Sequence, residues 1–138
     1  MNPHYPQAPV VGVGVIVQKD NSVLLVKRAY EPRKGLWSIP GGKVKLGESI
    51  RQAAVREVQE ECSITVNIND IISVVDLIDR DEHGKIKYHF VVIDFLAQYI
   101  DGELQSASDA LEAAWVSIDK LDEYHIPELT RKVIQKAF

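Results

Sequence analysis

The 138-residue sequence predicts an α/β fold in which a mixed sheet is sandwiched between helices, and three observations carry that expectation. Runs rich in valine and isoleucine recur along the chain with turn-forming residues between them. A stretch of good helix formers without Gly or Pro, residues 50–62, lies between those runs, and a second helical stretch closes the chain. The 46% hydrophobic content suffices for one packed core, and no repeat or linker interrupts it, so a single domain over residues 1–138 is expected.

The first element is residues 10–17, a valine run bounded by Pro9 and by Lys19, Asp20 and Asn21, which reads as a buried strand and a turn. Residues 23–28 return as a second strand. Gly12 and Gly14 form a short G-x-G, but Val17 stands where a third glycine would be and no helix signal follows. Close packing on one strand face is therefore expected there, rather than a dinucleotide site. Residues 30–47 hold two prolines and four glycines and should form a loop with little regular structure. Ser49 and Gln52 have capping-box spacing at the start of the central helix. Residues 64–79 and 86–99 are strand-like and flank the turn-prone Asp81 to Gly84, the pattern of a hairpin. Asp101 and Gly102 mark a turn, residues 113–118 a short strand around Trp115, and residues 129–137 a terminal helix with Pro127 just ahead.

Charge and composition exclude several classes. The formal net charge is -4 with both signs mixed along the chain, so no basic surface for a polynucleotide is expected, although a few local cations or a bound metal suffice for a small anion. Cys62 is the lone cysteine, which rules out an intrachain disulfide and suits a reducing compartment. No apolar run approaches the roughly 20 residues needed to span a bilayer, and no basic leader precedes one. A soluble cytoplasmic protein with no membrane partner is expected. His4, His83, His89 and His125 lack paired ligand spacing, and no Ser-His-Asp arrangement emerges.

The central helix carries the chemistry. At about 100° per residue, Ile50, Ala54, Val58 and Cys62 share an apolar arc, with Glu61 between Ile50 and Ala54 and with Glu57 and Glu60 just beyond. Two readings remain open at this point. Acids on a solvated face repel by only a few tenths of a kcal/mol each. Partly desolvated, two carboxylates about 5.5 Å apart repel by roughly 3 kcal/mol at a dielectric of about 20, which calls for a cation. A hard divalent ion with oxygen ligands is the economical one.

Residues 42–64 resemble the Nudix box, G-x5-E-x7-R-E-U-x-E-E-x-G-U with U a bulky aliphatic. Gly42, Glu48, Arg56, Glu57, Val58, Glu60, Glu61 and Ile64 match in register. Six fixed Gly, Glu and Arg positions coincide by chance in about one chain in 10⁵. The resemblance extends over residues 36–41 ahead of the box and 111–116 beyond it, where a Glu shortly precedes Trp115. One position departs: Ser63 stands where the family has its last glycine, which puts helix termination in question and leaves the carboxylates untouched.

The resemblance implies an α/β/α sandwich with the box as a loop-helix-loop beside the sheet. It implies magnesium, with manganese as a substitute, held by Glu57, Glu60 and Glu61 with the Gly41 carbonyl as a further contact. Glu57 doubles as the candidate general base, and Glu112 is an additional candidate ligand. Arg56 is expected to pair with Glu48 or Glu60 and fix a carboxylate rotamer. Gly41 and Gly42 would let backbone approach the ligand. Arg28, Arg33 and Lys34 would meet phosphates, and Trp37 or Tyr30 would stack on a base, core packing being an equal expectation for Trp37. The implied reaction is hydrolysis of a phosphoanhydride in a nucleoside diphosphate joined to another group, with ADP-ribose or a nucleotide sugar favoured and a homodimer admissible. Some ADP-ribose-cleaving relatives carry a proline about 16 residues past the box, where this chain has Arg80. The alternatives are a (deoxy)nucleoside triphosphate pyrophosphohydrolase and a non-catalytic nucleotide-binding module.

Overall fold

The computed structural model describes residues 4–31, 33–107 and 110–138; Pro32 of the proline-containing loop and the first three residues lie outside them. The chain runs β1 (Val10–Lys19), β2 (Ser22–Arg28), β3 (Trp37–Ser38), β4 (Gly41–Lys43), α1 (Ile50–Cys62), β5 (Thr65–Arg80), β6 (Ile86–Asp101), β7 (Ala110–Ser117) and α2 (Glu128–Ala137). The spine of the sheet has the order β3-β2-β1-β6-β5, with β4 added to β1 and β7 added to β2. It is mixed: β1 runs parallel to β6, and the β1–β2, β1–β4, β2–β7 and β5–β6 pairs are antiparallel.

Alternation along the strands creates two cores, one on each face of the sheet. Val13, Val15, Val17, Leu24, Val26 and Phe95 pack against Ala53, Ala54, Val58 and Cys62 of α1. On the other face Ile16, Val23, Leu25 and Val116 pack against Val133 and Ile134 of α2. The central strands are buried on both sides, so β1 and β2 read as continuous apolar runs rather than as alternating ones. The layered arrangement is the α/β/α sandwich expected from the order of elements. No helix among the described residues is long and apolar enough to cross a membrane.

The differences from expectation are local. The Gly- and Pro-rich stretch contains two short strands, β3 and β4, because Trp37–Ser38 finds the edge of β2 and Gly41–Lys43 the edge of β1. β7 begins three residues earlier than expected, at Ala110, across a bulge opposite Lys27 and Arg28. A 3₁₀ turn, Ile118–Glu123, links β7 to α2; it buries Leu121 alone, too little periodicity for a sequence to announce.

Candidate active site

Local sequence fixes the start of α1. The Gln52 N–H donates to Ser49 Oγ at 3.1 Å, and the Ser49 N–H donates to Gln52 Oε1 at 2.9 Å, a complete capping box. At the other end Ser63 takes the left-handed conformation (φ 62°, ψ 26°), its N–H donating to the Gln59 carbonyl. Serine thus adopts the geometry in which the Nudix box places glycine.

Between these caps two acids are buried. Glu57 is 9% exposed and Glu61 5%, one turn apart on the side of α1 that faces β4. The side chain of Glu60 is 44% exposed and lies at the rim. Gly42 makes this packing possible, since a Cβ there would stand 2.5 Å from the carboxyl carbon of Glu57. Gly41 is pressed on β1, where a Cβ would collide with the Val13 carbonyl, and its N–H donates to Glu61 Oε2 at 3.0 Å. These glycines make room for the helix's own carboxylates and for β1. The observed Gly41 contact is through its N–H, whereas the resemblance implied its carbonyl.

Arg56 ties these parts together. Its Nε and Nη2 donate to the two oxygens of Glu48 at 2.7 and 2.9 Å, a bidentate pair that anchors the loop ahead of α1. Nη1 reaches Glu57 Oε1 at 2.8 Å and Glu60 Oε2 at 3.2 Å, and Nη2 also donates to the Lys43 carbonyl at 3.0 Å. The Arg56 guanidinium, with the Lys45 N–H, holds the Glu48 carboxyl down to about 2. The hydrogen bond to Glu48 in turn raises Arg56 above its ordinary value. The guanidinium stays charged whatever the pH, and Glu57 is held in one rotamer.

The remaining sequence candidates lie elsewhere. Glu112 pairs with Lys27 at 3.6 Å, is 60% exposed, and by strand alternation points to the α2 face, away from Glu57 and Glu61. Trp37 packs edge-to-face on Tyr124 at 5.1 Å, in the core under α2. Arg28 ends β2, and its N–H and carbonyl both bond the loop at Leu36 and Gly35. Arg33 sits in that loop with φ 64°, its carbonyl accepting the Leu36 N–H; Tyr30 and Lys34 are exposed beside it. Sequence reasoning missed the Lys43 carbonyl, a backbone group without a side-chain signal. It also missed Asp94, although a lone acid in the otherwise apolar run 90–97 is a signal in itself.

Among the described residues no three acid, histidine or cysteine side chains converge to enclose a cation, because Arg56 lies between Glu57 and Glu60. The donor set nevertheless fits a hard cation shared with a substrate. Magnesium keeps several waters and takes few protein carboxylates when phosphates complete its shell.

The NUDIX domain family profile matches residues 8–137. This chain is a member of the NUDIX family. Among NUDIX relatives it is 38% identical over 113 residues to a Methanocaldococcus jannaschii protein named ADP-ribose pyrophosphatase, an alignment covering 82% of this chain and 64% of that one. It is 30% identical over 138 residues to the Mus musculus 8-oxo-dGDP phosphatase NUDT18, covering 92% of this chain and 40% of the relative. The chain thus spans between two fifths and two thirds of the length of these relatives. A crystal structure of a MutT NUDIX hydrolase from Burkholderia pseudomallei superposes with a TM-score of 0.83 at 30% identity, covering 96% of this chain and all of the other. A MutT protein from Methanosarcina mazei superposes at 0.78 with 26% identity, over 95% of this chain and 94% of that one.

Proposed function

We propose that this NUDIX chain is a magnesium-dependent hydrolase that cuts the phosphoanhydride of a nucleoside diphosphate joined to another group, with ADP-ribose as its leading substrate. The observation that carries the reading is the pair of buried acids one turn apart against the glycine strand β4, Glu57 held by Arg56 and Glu61 by the Gly41 N–H. A helix that served only packing would place apolar residues there. The similarity to a protein named ADP-ribose pyrophosphatase supports the choice of substrate class.

In this reading Glu57, Glu60 and Glu61 hold the magnesium, which when bound polarises the phosphoryl oxygens and neutralises charge on the leaving phosphate. The chain's own residues do the positioning. Arg56 fixes Glu57 and Glu60 relative to Glu48 before substrate arrives. The Gly41 N–H fixes Glu61. Glu57 is the candidate base: a water oxygen bonds to one phosphorus, the bridging P–O bond breaks, and the water's proton passes to the carboxylate. From ADP-ribose the products are AMP and ribose 5-phosphate. Arg28, Arg33 and Lys34, gathered where β2 meets its loop, are the candidate cations for the distal phosphate. Glu112 has no part in this account, since it faces the other side of the sheet.

A second reading, a nucleoside triphosphate pyrophosphohydrolase, is favoured by the likeness to MutT structures. A substrate panel with and without magnesium separates the two. AMP from ADP-ribose is the expected result; pyrophosphate from triphosphates alone would replace it with the second reading; and nucleotide binding without any turnover would leave a binding module.

A further inference from the structure

The cover that α1 gives its face of the sheet ends near Val13, and the strand register carries that face further. Val13, Ile93 and Val74 form one row across β1, β6 and β5; Val11, Val91 and Asp76 form the next, and His89 and Ile78 the one after. Val11, Val74 and Ile78 are 43%, 61% and 48% exposed. A strand face that only met water would carry polar residues at these alternate positions. Single exposed aliphatic residues are ordinary, but a contiguous patch of them marks an interaction site.

The pattern of this patch fits a copy of itself. Ile78, Val91 and Val11 fall on a diagonal across the three strands, with Asp76 on one side of it and His89 on the other. Turning a second copy through 180° about that diagonal, face to face, sets each of the three aliphatic residues against its own counterpart. The same rotation brings Asp76 of each copy to His89 of the other, where an imidazole N–H can donate to the carboxylate. Within the chain, no side-chain hydrogen bond or ion pair among the described residues engages Asp76 or His89. At about 3.3 Å per residue and 4.8 Å per strand, β5 from Ile71 to Arg80 with its two neighbours offers a face of about 30 by 14 Å, about half of the 800 Å² that each partner buries in a standard interface. The loop after β4 adds to it: the loop starts beside Val11, whose carbonyl accepts the Val44 N–H at 3.0 Å, and its Leu46 is fully exposed.

We propose that this uncovered face of β1, β6 and β5 docks a second copy of the chain in a two-fold dimer, with Ile78, Val91 and Val11 along the axis and the Asp76–His89 pair formed twice. The apolar diagonal supplies the buried centre, and the two polar pairs fix the register of one copy on the other. This surface is independent of the hydrolase reading above.

Sedimentation equilibrium of the full chain at about 100 µM, above the micromolar Kd at the weak end for interfaces of standard size, tests the proposal, with thermal melts to confirm folding. Wild type should sediment at twice the mass of one chain. Ile78→Lys, which opposes two ammonium groups on the axis, should be a monomer, whereas Ile100→Lys, at a residue of β6 that is as exposed but lies outside this face, should remain a dimer. Asp76→His should weaken the dimer by about tenfold or more, and adding His89→Asp to it should restore the dimer by exchanging the pair; this swap decides the matter if Ile78→Lys fails to fold. A monomeric wild type would overturn the proposal. So would a dimer that survives both Ile78→Lys and Asp76→His, since a different surface would then join the copies, or one that Ile100→Lys disrupts equally.

Discussion

At the scale of single residues, the site depends on what is missing at Gly42 as much as on the acids. A methyl group there would strike the flexible end of Glu57 and leave the backbone of β4 undisturbed, so the fold should tolerate it while the carboxylate moves. Gly42→Ala is expected to melt within a few degrees of wild type yet lose about 100-fold in kcat, because displacements near 1 Å cost about that much; paired melting and steady-state measurements decide it, and an active variant would show that the placement of Glu57 is unimportant. Arg56→Lys keeps the charge but loses the planar fork that serves Glu48, Glu57, Glu60 and the Lys43 carbonyl together. Its kcat should fall about 10- to 100-fold, and a fully active lysine variant would reduce Arg56 to a surface cation. Periodicity made the acid cluster of α1 legible in the sequence with two readings open, and the resemblance to the Nudix box supplied the expected roles of the acids and of Arg56. Glycine spacing revealed that something approaches the backbone at 41 and 42, but the identity of the approaching groups, Glu57 and the Val13 carbonyl, needed three dimensions.

At the scale of elements, α1 is the best determined from sequence, since its cap, its apolar arc and its length come from local rules that the structure repeats at Ser49, Gln52 and Cys62. The strands of the hairpin were equally plain, with β5 and β6 running 16 residues each on either side of the Asp81–Gly84 turn. What escaped was structure made by partners: β3 and β4 exist because edges of β2 and β1 accept them, and no local pattern in a Gly- and Pro-rich stretch encodes that. Ser63 supplies the prediction here. Its left-handed backbone costs a non-glycine residue about 1 kcal/mol, so Ser63→Gly should raise stability by about that amount and Tm by a few degrees. Turnover should stay unchanged, because Ser63 lies beyond Glu57, Glu60 and Glu61. A melt that stays level or drops would show that the serine cap supplies a compensating interaction.

At the scale of the whole molecule, the buried Asp94 makes stability depend on pH in a direction that can be worked out. Its carboxyl is raised to about 6 in the fold against an ordinary 3.8, so between those values the folded chain holds more protons than the unfolded one. Its contribution is therefore fully present below about 4 and lost as pH rises through 6, a difference of about 3 kcal/mol for two units. Glu48 acts oppositely: its lowered carboxyl favours the fold above the ordinary carboxylate range, and this is lost as pH falls towards 2. Asp94→Asn should accordingly gain about 2 to 3 kcal/mol over wild type between pH 4 and pH 7.5, read from urea melts at both. A gap between the two proteins that does not change with pH would contradict the burial argument. The layered fold was legible because alternation and periodicity are local properties. The faces of the sheet were not, and that is why Glu112 read as a ligand candidate although it points away from α1. The most direct test of the account is the magnesium dependence of AMP release from ADP-ribose in wild type and Glu61→Gln. Wild type should turn over only with the metal, and the glutamine variant, folded, should be slower by about 100-fold or more at every concentration. Equal rates in the two proteins would contradict the claim that the buried acids of α1 are the catalytic centre.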